Sequence, residues 1–245
     1  MNRGILAATR GMHASQTQLD VIANNLANVN TAGFKRDGLT FADTMERQMA
    51  LPGAPSWRII GTLGTGADIK SRWSDNSVGA AQQTGNPLDL MLEDENQYFA
   101  VQTPAGIRFT RNGAFTANGE GQLTTQDGHP VLDVSGQPIV LSANGSYNQV
   151  GVSKTGVVSV DGIEVGVLDV RQGNLRKVGN SLWDGKAEQV AEPRIQSGML
   201  EGSNVNAIQS MVEMILLMRS YESSQKAVKT QDEATEKLLQ GLSAR

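Results

Sequence analysis

The sequence predicts an α+β, multidomain chain: N- and C-terminal helices paired as a coiled coil, with an all-β domain between them in sequence. Three observations lead there. Sixteen of the 27 glycines lie between Gly79 and Gly185, none falls in 12–32 or 203–240, and all seven prolines fall in 52–193. Glycine and proline are the residues that most destabilise a helix interior, so the ends can be helical and the middle cannot. Both ends also carry apolar stripes at helical spacing, and the middle is a series of short β-prone runs separated by glycine.

At the N-terminal end Ile5, Met12, Leu19 and Leu26 recur every seven residues, and Ala8, Ser15, Ile22 and Val29 form a second register three residues on. This is an a/d-type stripe on a helix over 3–30, about 42 Å long. Residues 37–75 follow; with Pro52, Gly53, Pro55, Gly61, Gly64 and Gly66 they read as an extended linker. The G-x-x-G-x-G spacing of those last three glycines is the reverse of a dinucleotide fingerprint, and no helix pattern follows it.

An all-β domain is expected over 76–200. Its strands are read at 88–92, 98–102, 107–110, 114–116, 123–125, 131–134, 139–141, 157–160 and 164–170. Asp161-Gly162 is a dipeptide favoured in two-residue hairpin turns. Trp73, Tyr98, Phe99, Phe109, Phe115 and Trp183 are expected in this domain's core. The last helix is expected to start at an Asn204 cap and to show Val205, Ile208, Met211, Val212, Ile215 and Met218 on one face. Tyr221, Ser224, Val228, Gln231, Thr235, Leu238 and Leu242 continue it at 3 and 4 spacing, for about 58 Å.

The stripes are thin, built from small and medium side chains with Ser15, Gln231 and Thr235 among them. A lone amphipathic helix is marginal in water, so each needs a partner. Two arrangements satisfy this: the helices pair and the fold ends there, or the pair packs further on other subunits. Leu216 and Leu217 lie outside any single stripe and favour a second buried face.

Composition excludes much chemistry. Of 245 residues none is cysteine, which removes disulfides, thiol nucleophiles and cysteine-ligated zinc or iron–sulfur sites. The net charge of −4 offers no attraction to nucleic acid or to an anionic membrane. The densest apolar run, Met214 to Met218, is far shorter than the roughly 18 residues of a membrane span. Polar residues His13, Ser15, Gln16 and Gln18 stand where a secretory h-region would lie, so no cleaved signal is expected. His13 and His129 have no second histidine at metal-binding spacing, and neither a nucleophile elbow nor a phosphate loop is present. Glu93-Asp94-Glu95 reads as a solvated turn. No cofactor, metal or catalytic residue is assigned, and the chain reads as a non-enzyme. A carboxylate pair acting on glycosides has no fixed spacing, so an extracytoplasmic carbohydrate-acting β domain stays open on sequence alone.

The run Ala23-Asn24-Asn25-Leu26-Ala27-Asn28-Val29-Asn30-Thr31-Ala32-Gly33-Phe34-Lys35 matches, at every specified position, the form A-N-N-x-A-N-x-x-T-x-G-[FY]-[KR]. It resembles the N-terminal signature of the bacterial flagellar rod and hook proteins. The asparagines suit side-chain bonds to nearby backbone, and Gly33 suits a helix C-cap. Thr110-Arg111-Asn112-Gly113-Ala114-Phe115, with Gly121-Gln122-Leu123, resembles the family's central segment, Phe109 replacing the usual tyrosine. Ser203-Asn204-Val205, Met211 to Ile215 and Arg219-Ser220-Tyr221-Glu222 resemble its C-terminal motif. Gly85 to Asp89, Gly128 to Val131 and Ser197 to Val205 look closer to the proximal-rod members than to the distal-rod ones.

The resemblance implies a structural subunit of the basal-body rod, exported through the flagellar type III apparatus and placed outside the cytoplasmic membrane, in the periplasmic space of a Gram-negative cell. Its partners would be copies of itself and other rod proteins, with no nucleic acid and no direct membrane insertion. Residues 1–36 and 201–245 would form the helical rod core and 76–200 the outer domain. The assembly interface is expected at Ile5, Met12, Leu19, Ile22, Leu26, Ile208, Met211, Ile215 and Leu238. The motif positions are Asn24, Asn25, Asn28, Thr31, Gly33, Phe34, Lys35, Ser203, Asn204 and Val205.

Overall fold

The computed structural model describes residues 3–43, 47–50, 59–63, 67–142, 149–179 and 181–243. It contains two α-helices and many short strands, an α+β chain. Two compact units form: one from 1–27, 37–73 and 206–245, the other from 28–36 and 74–205.

In the first unit, helix α1 spans Arg3–Ala27 and helix α2 spans Ala207–Ser243. The two lie against each other. The better-shielded positions of α2 are Ala207, Ser210, Glu213, Met214, Leu217, Tyr221, Ser224, Val228 and Gln231. Apart from Glu213 they alternate at 3 and 4 residues, which keeps them on one side of the helix. From Tyr221 to Gln231 this is the predicted register; Thr235, expected to continue it, is exposed, and the side chains of Leu238 and Leu242 lie outside the described residues. Before it, the predicted stripe is out of phase by one residue, because the sequence's stronger apolar signal belongs to the opposite, exposed side. On α1 the buried positions are Ala14, Val21, Ile22 and Asn25.

Helix α2 is capped by Asn206, whose Oδ1 accepts from the Gln209 N–H at 3.1 Å. Asn204, the expected cap, is engaged elsewhere. The expected linker carries strands: Asp37–Asp43 pairs with Ala67–Ser74, and Arg47–Ala50 pairs with Ile59–Leu63. Pro52, Gly53, Pro55, Gly64 and Gly66, on which the linker reading rested, lie outside the described residues. Trp73 belongs to this unit, 47% exposed, rather than to the β core; its indole lies against Gly38, where a Cβ would collide with it.

The second unit is built on a six-stranded antiparallel sheet. Its order is Arg176–Gly179, Leu182–Asp184, Gly106–Thr110, Gln97–Thr103, Val170–Gln172, Glu188–Gln189. Strand Gln97–Thr103 explains why Tyr98 to Val101 is continuously apolar. Its side chains alternate between faces, and both faces are covered. Phe99 and Val101 point into a core with Leu90, Leu92, Phe115 and Leu168. Tyr98 and Ala100 point into a second with Phe109, Leu132 and Trp183. Phe99 meets Phe115 edge to face at 5.1 Å, and Tyr98 meets Trp183 at 5.3 Å. Burial holds the Tyr98 phenol up at about 12.

A three-stranded sheet, Val150–Val152, Val157–Val160 and Ile163–Val167, turns at Asp161-Gly162. Both turn residues have positive φ, as a primed hairpin turn needs. The segments expected as strands at 131–134 and 139–141 make only single bridges. Pro130 and Pro138 stand beside them, and neither can donate to a ladder.

Candidate assembly surface and motif clasp

The first candidate surface is the outer side of α2. Ile208, Met211, Val212, Ile215, Leu216 and Met218 are all at least half exposed, Ile208 the most at 77%. They occupy positions i, i+3, i+4, i+7, i+8 and i+10, one broad stripe on a helix. Scattered exposed apolar residues are ordinary on a soluble surface, whereas six on one face form a patch of the kind that marks an interaction site.

The predicted interface residues thus divide. Ile22 is buried, and Ile5, Met12, Leu19 and Leu26 are partly covered in the first unit. Ile208, Met211 and Ile215 face solvent. Leu238 stands on α2, but its side chain lies outside the described residues. Asn25, buried, exchanges two hydrogen bonds with the backbone of Asp37, at 2.8 and 2.9 Å, and so fixes the chain's return after α1. Asn24 is exposed.

The remaining motif positions converge within the second unit. Lys35 and Arg111 are buried, and both reach the buried carboxylate of Glu201: Lys35 Nζ to Oε1 at 2.5 Å, Arg111 Nε to Oε2 at 2.5 Å. The Gly79 N–H donates to Oε1 at 2.9 Å, and the Gly33 N–H to the Glu201 carbonyl at 2.7 Å. Lys35 also donates to the Ser77 carbonyl at 2.6 Å. Arg111 spends its other donors on the carbonyls of Leu92, Asp94 and Gln97. Burial pushes the Lys35 ammonium below the usual lysine range, Glu201 opposes that push, and Arg111 adds to it.

Asn204 completes the clasp. Its Oδ1 accepts from the Arg36 N–H at 2.7 Å, and its Nδ2 donates to the Asp75 carbonyl at 2.8 Å. Ser203 Oγ accepts from the Val205 N–H, and Val205 is buried. Phe34 is buried beneath the Lys177 ammonium, which sits 3.7 Å from the ring centroid and donates to the Lys35 carbonyl. Thr31 Oγ1 donates to Asn28 Oδ1 at 3.1 Å in the turn after α1.

Gly33 is not the helix C-cap, for α1 ends at Ala27. Its φ of +66° instead lets the chain pass against the Arg111–Asn112 backbone, where a Cβ would collide. The hub is Glu201, a residue outside the motif positions. A signal was there: two motif cations, Lys35 and Arg111, need an anion if buried, and Glu201 is the single carboxylate in 197–205.

A chain whose ends both enter one helical unit, with an apolar stripe left outward and its motif charges spent on holding backbone, is built as an assembling structural subunit. Residues 5–35 match the flagella basal body rod protein family, 94–160 the D1 domain of the flagellar hook protein FlgE/F/G, and 196–241 the C-terminal part of the flagellar basal body rod FlgEFG protein. The flagellar basal-body rod protein FlgG of Bacillus subtilis is 33% identical over 98% of both chains. The rod protein FlgF of Caulobacter vibrioides is 34% identical over 85% of both, and that of Rhizobium meliloti 28% over 99% of this chain and 98% of its own. The chain belongs to the flagellar basal-body rod protein family. Its members are structural, which disfavours a carbohydrate-acting reading of the β domain.

Proposed function

We propose that this rod subunit polymerises through its terminal helices, paired as a coiled coil, into the drive shaft that transmits torque. The observation that carries this is the outward stripe of α2. Its side chains are half to three-quarters exposed, so burying the rest against a neighbour contributes about 1 kcal/mol apiece, several kcal/mol for the stripe. A head-to-tail contact that does not close into a ring generates a helical filament. Residues 1–36 and 201–245 form the rod core in this reading, 37–75 a linking segment and 76–200 the outer domain. The subunit sits in the rod outside the cytoplasmic membrane, reached through the flagellar type III export apparatus, against copies of itself and other rod proteins.

The proximal segment of the rod is the proposed position, supported by the resemblance of 85–89, 128–131 and 197–205 to FlgF-type chains. The full-length match to the B. subtilis FlgG favours a distal position as the second reading. Labelled basal bodies separate the two by the subunit's distance from the inner-membrane ring.

The test of assembly is Ile215→Asp with Ile208→Asp. Both are exposed in the free subunit, so the circular dichroism spectrum and melting of the double variant stay close to wild type. Incorporation into basal bodies and swarming are lost. Normal motility of cells carrying only the double variant refutes the stripe as the assembly surface.

A further inference from the structure

We propose that Glu201 is a latch: when it seats, the segment 28–36 that leads to one chain end and the segment 201–205 that leads to the other become ordered together in a single step. The bonds it makes are far apart in sequence. Lys35 lies 166 residues away, Gly79 122 and Arg111 90. No local turn can bring these groups together, so the latch closes only once residue 201 has joined the fold.

The two cations are not equivalent. Arg111 is held by three carbonyls of 92–97 whether or not Glu201 is present, so the β unit builds a cationic socket by itself. Among the described residues Lys35 donates, besides Glu201, only to the Ser77 carbonyl, with the Asp75 carboxylate acting on it from a distance. Without the Glu201 carboxylate its buried ammonium faces the like charge of Arg111 with one direct acceptor and the weaker, unbonded Asp75 carboxylate, an arrangement that expels it and the motif segment with it. Seating follows an order: the socket around Arg111, then Glu201, then Lys35. The neighbouring bonds from Gly202 N–H to the Ala80 carbonyl, Asn204 N–H to the Phe34 carbonyl and Arg36 N–H to Asn204 Oδ1 close in the same step. The terminal segments are thereby fixed only in a chain that is complete through residue 201.

Amide hydrogen exchange on the full chain tests this with Glu201→Gln, which keeps shape and removes charge. Protection at Gly33, Phe34, Arg36 and Gly79 falls together by about a hundredfold, while strands Gln97–Thr103 and Gly106–Thr110 change by less than about fivefold. Lys35→Met leaves Arg111 and Glu201 as a one-to-one pair, and protection at Gly33 and Gly79 falls by less than about tenfold. Unchanged protection in Glu201→Gln overturns the latch. So does an equal loss in the two central strands, which makes Glu201 a support of the whole unit, and so does a Lys35→Met effect as large as that of Glu201→Gln.

Discussion

Replacing Gly33 by alanine separates two effects that motif glycines usually confound. Gly33 has a φ of +66°, and a Cβ there would strike the backbone of Arg111 and Asn112. Gly85 has nearly the same backbone, φ +77°, with open space around the added carbon. Gly119 has open space and no left-handed conformation. Left-handed backbone costs an L-residue about 1–2 kcal/mol. Loss of unfolded-chain entropy returns about 0.4–1 kcal/mol to any Gly→Ala change. Forcing a methyl into packed backbone costs about 1–3 kcal/mol more. Gly119→Ala should therefore be neutral or slightly stabilising, Gly85→Ala should lose about 1 kcal/mol, and Gly33→Ala about 2–4 kcal/mol. Urea titrations followed by near-ultraviolet circular dichroism, where buried Trp183 and Tyr98 report on the β unit, give all three values. If Gly33→Ala and Gly85→Ala agree within about 0.5 kcal/mol, the close passage past Arg111 does not determine this glycine, and the explanation of that motif position fails.

Two further predictions concern the same unit. Tyr98 ionises near 12 in the folded protein against about 10 when unfolded, so between those values the unfolded chain binds fewer protons and stability falls as pH rises. The loss attributable to Tyr98 is about 2 kcal/mol by pH 11.5, and comparing wild type with Tyr98→Phe in urea at pH 9 and 11.5 isolates it; equal slopes for the two proteins contradict the shift. Phe99 is fully buried against Phe115, so Phe99→Ala should cost about 3–5 kcal/mol, while Ile163→Ala, at a site 71% exposed, should stay within about 0.5 kcal/mol by the same titration.

What the sequence displayed of the fold followed from where strong local rules act alone. Glycine and proline are excluded from 12–32 and 203–240, and α1 and α2 lie over those stretches. Asp161-Gly162 dictates a hairpin turn because so few residue pairs accept two positive φ values. Less was visible where tertiary pairing decides. The strands Asp37–Asp43 and Ala67–Ser74 are partners across more than twenty intervening residues, and nothing local to either names the other. Trp73 is aromatic and β-prone, yet its exposure depends on which strand it joins. The clasp was half visible: motif spacing marks Lys35 and Arg111, but a lone Glu201 in a Gly- and Ser-rich run has no period to disclose its burial.

The phase of α2 carries the most consequence. Periodicity selects the most apolar side of a helix, on the premise that the subunit's own fold buries it. Here the shielded side mixes Ala207, Ser210, Ser224 and Gln231 with Met214, Leu217, Tyr221 and Val228, while Ile208, Met211, Ile215 and Leu216 stay outside. For an isolated globular protein that assignment is backwards, since it leaves the larger transfer free energy unused. It is rational if, as proposed above, the subunit buries that side against a neighbour in the rod. The shielded side holds its pair with a mixture of small and larger residues, and the apolar side chains left outside are, in the proposed reading, those that a neighbour covers. The same division predicts opposite signatures on the two faces. Aspartate at Met214 or Leu217, in the seam, should lower the melting temperature of the free subunit, whereas aspartate at Ile208 or Ile215 should leave it unchanged and act only on assembly.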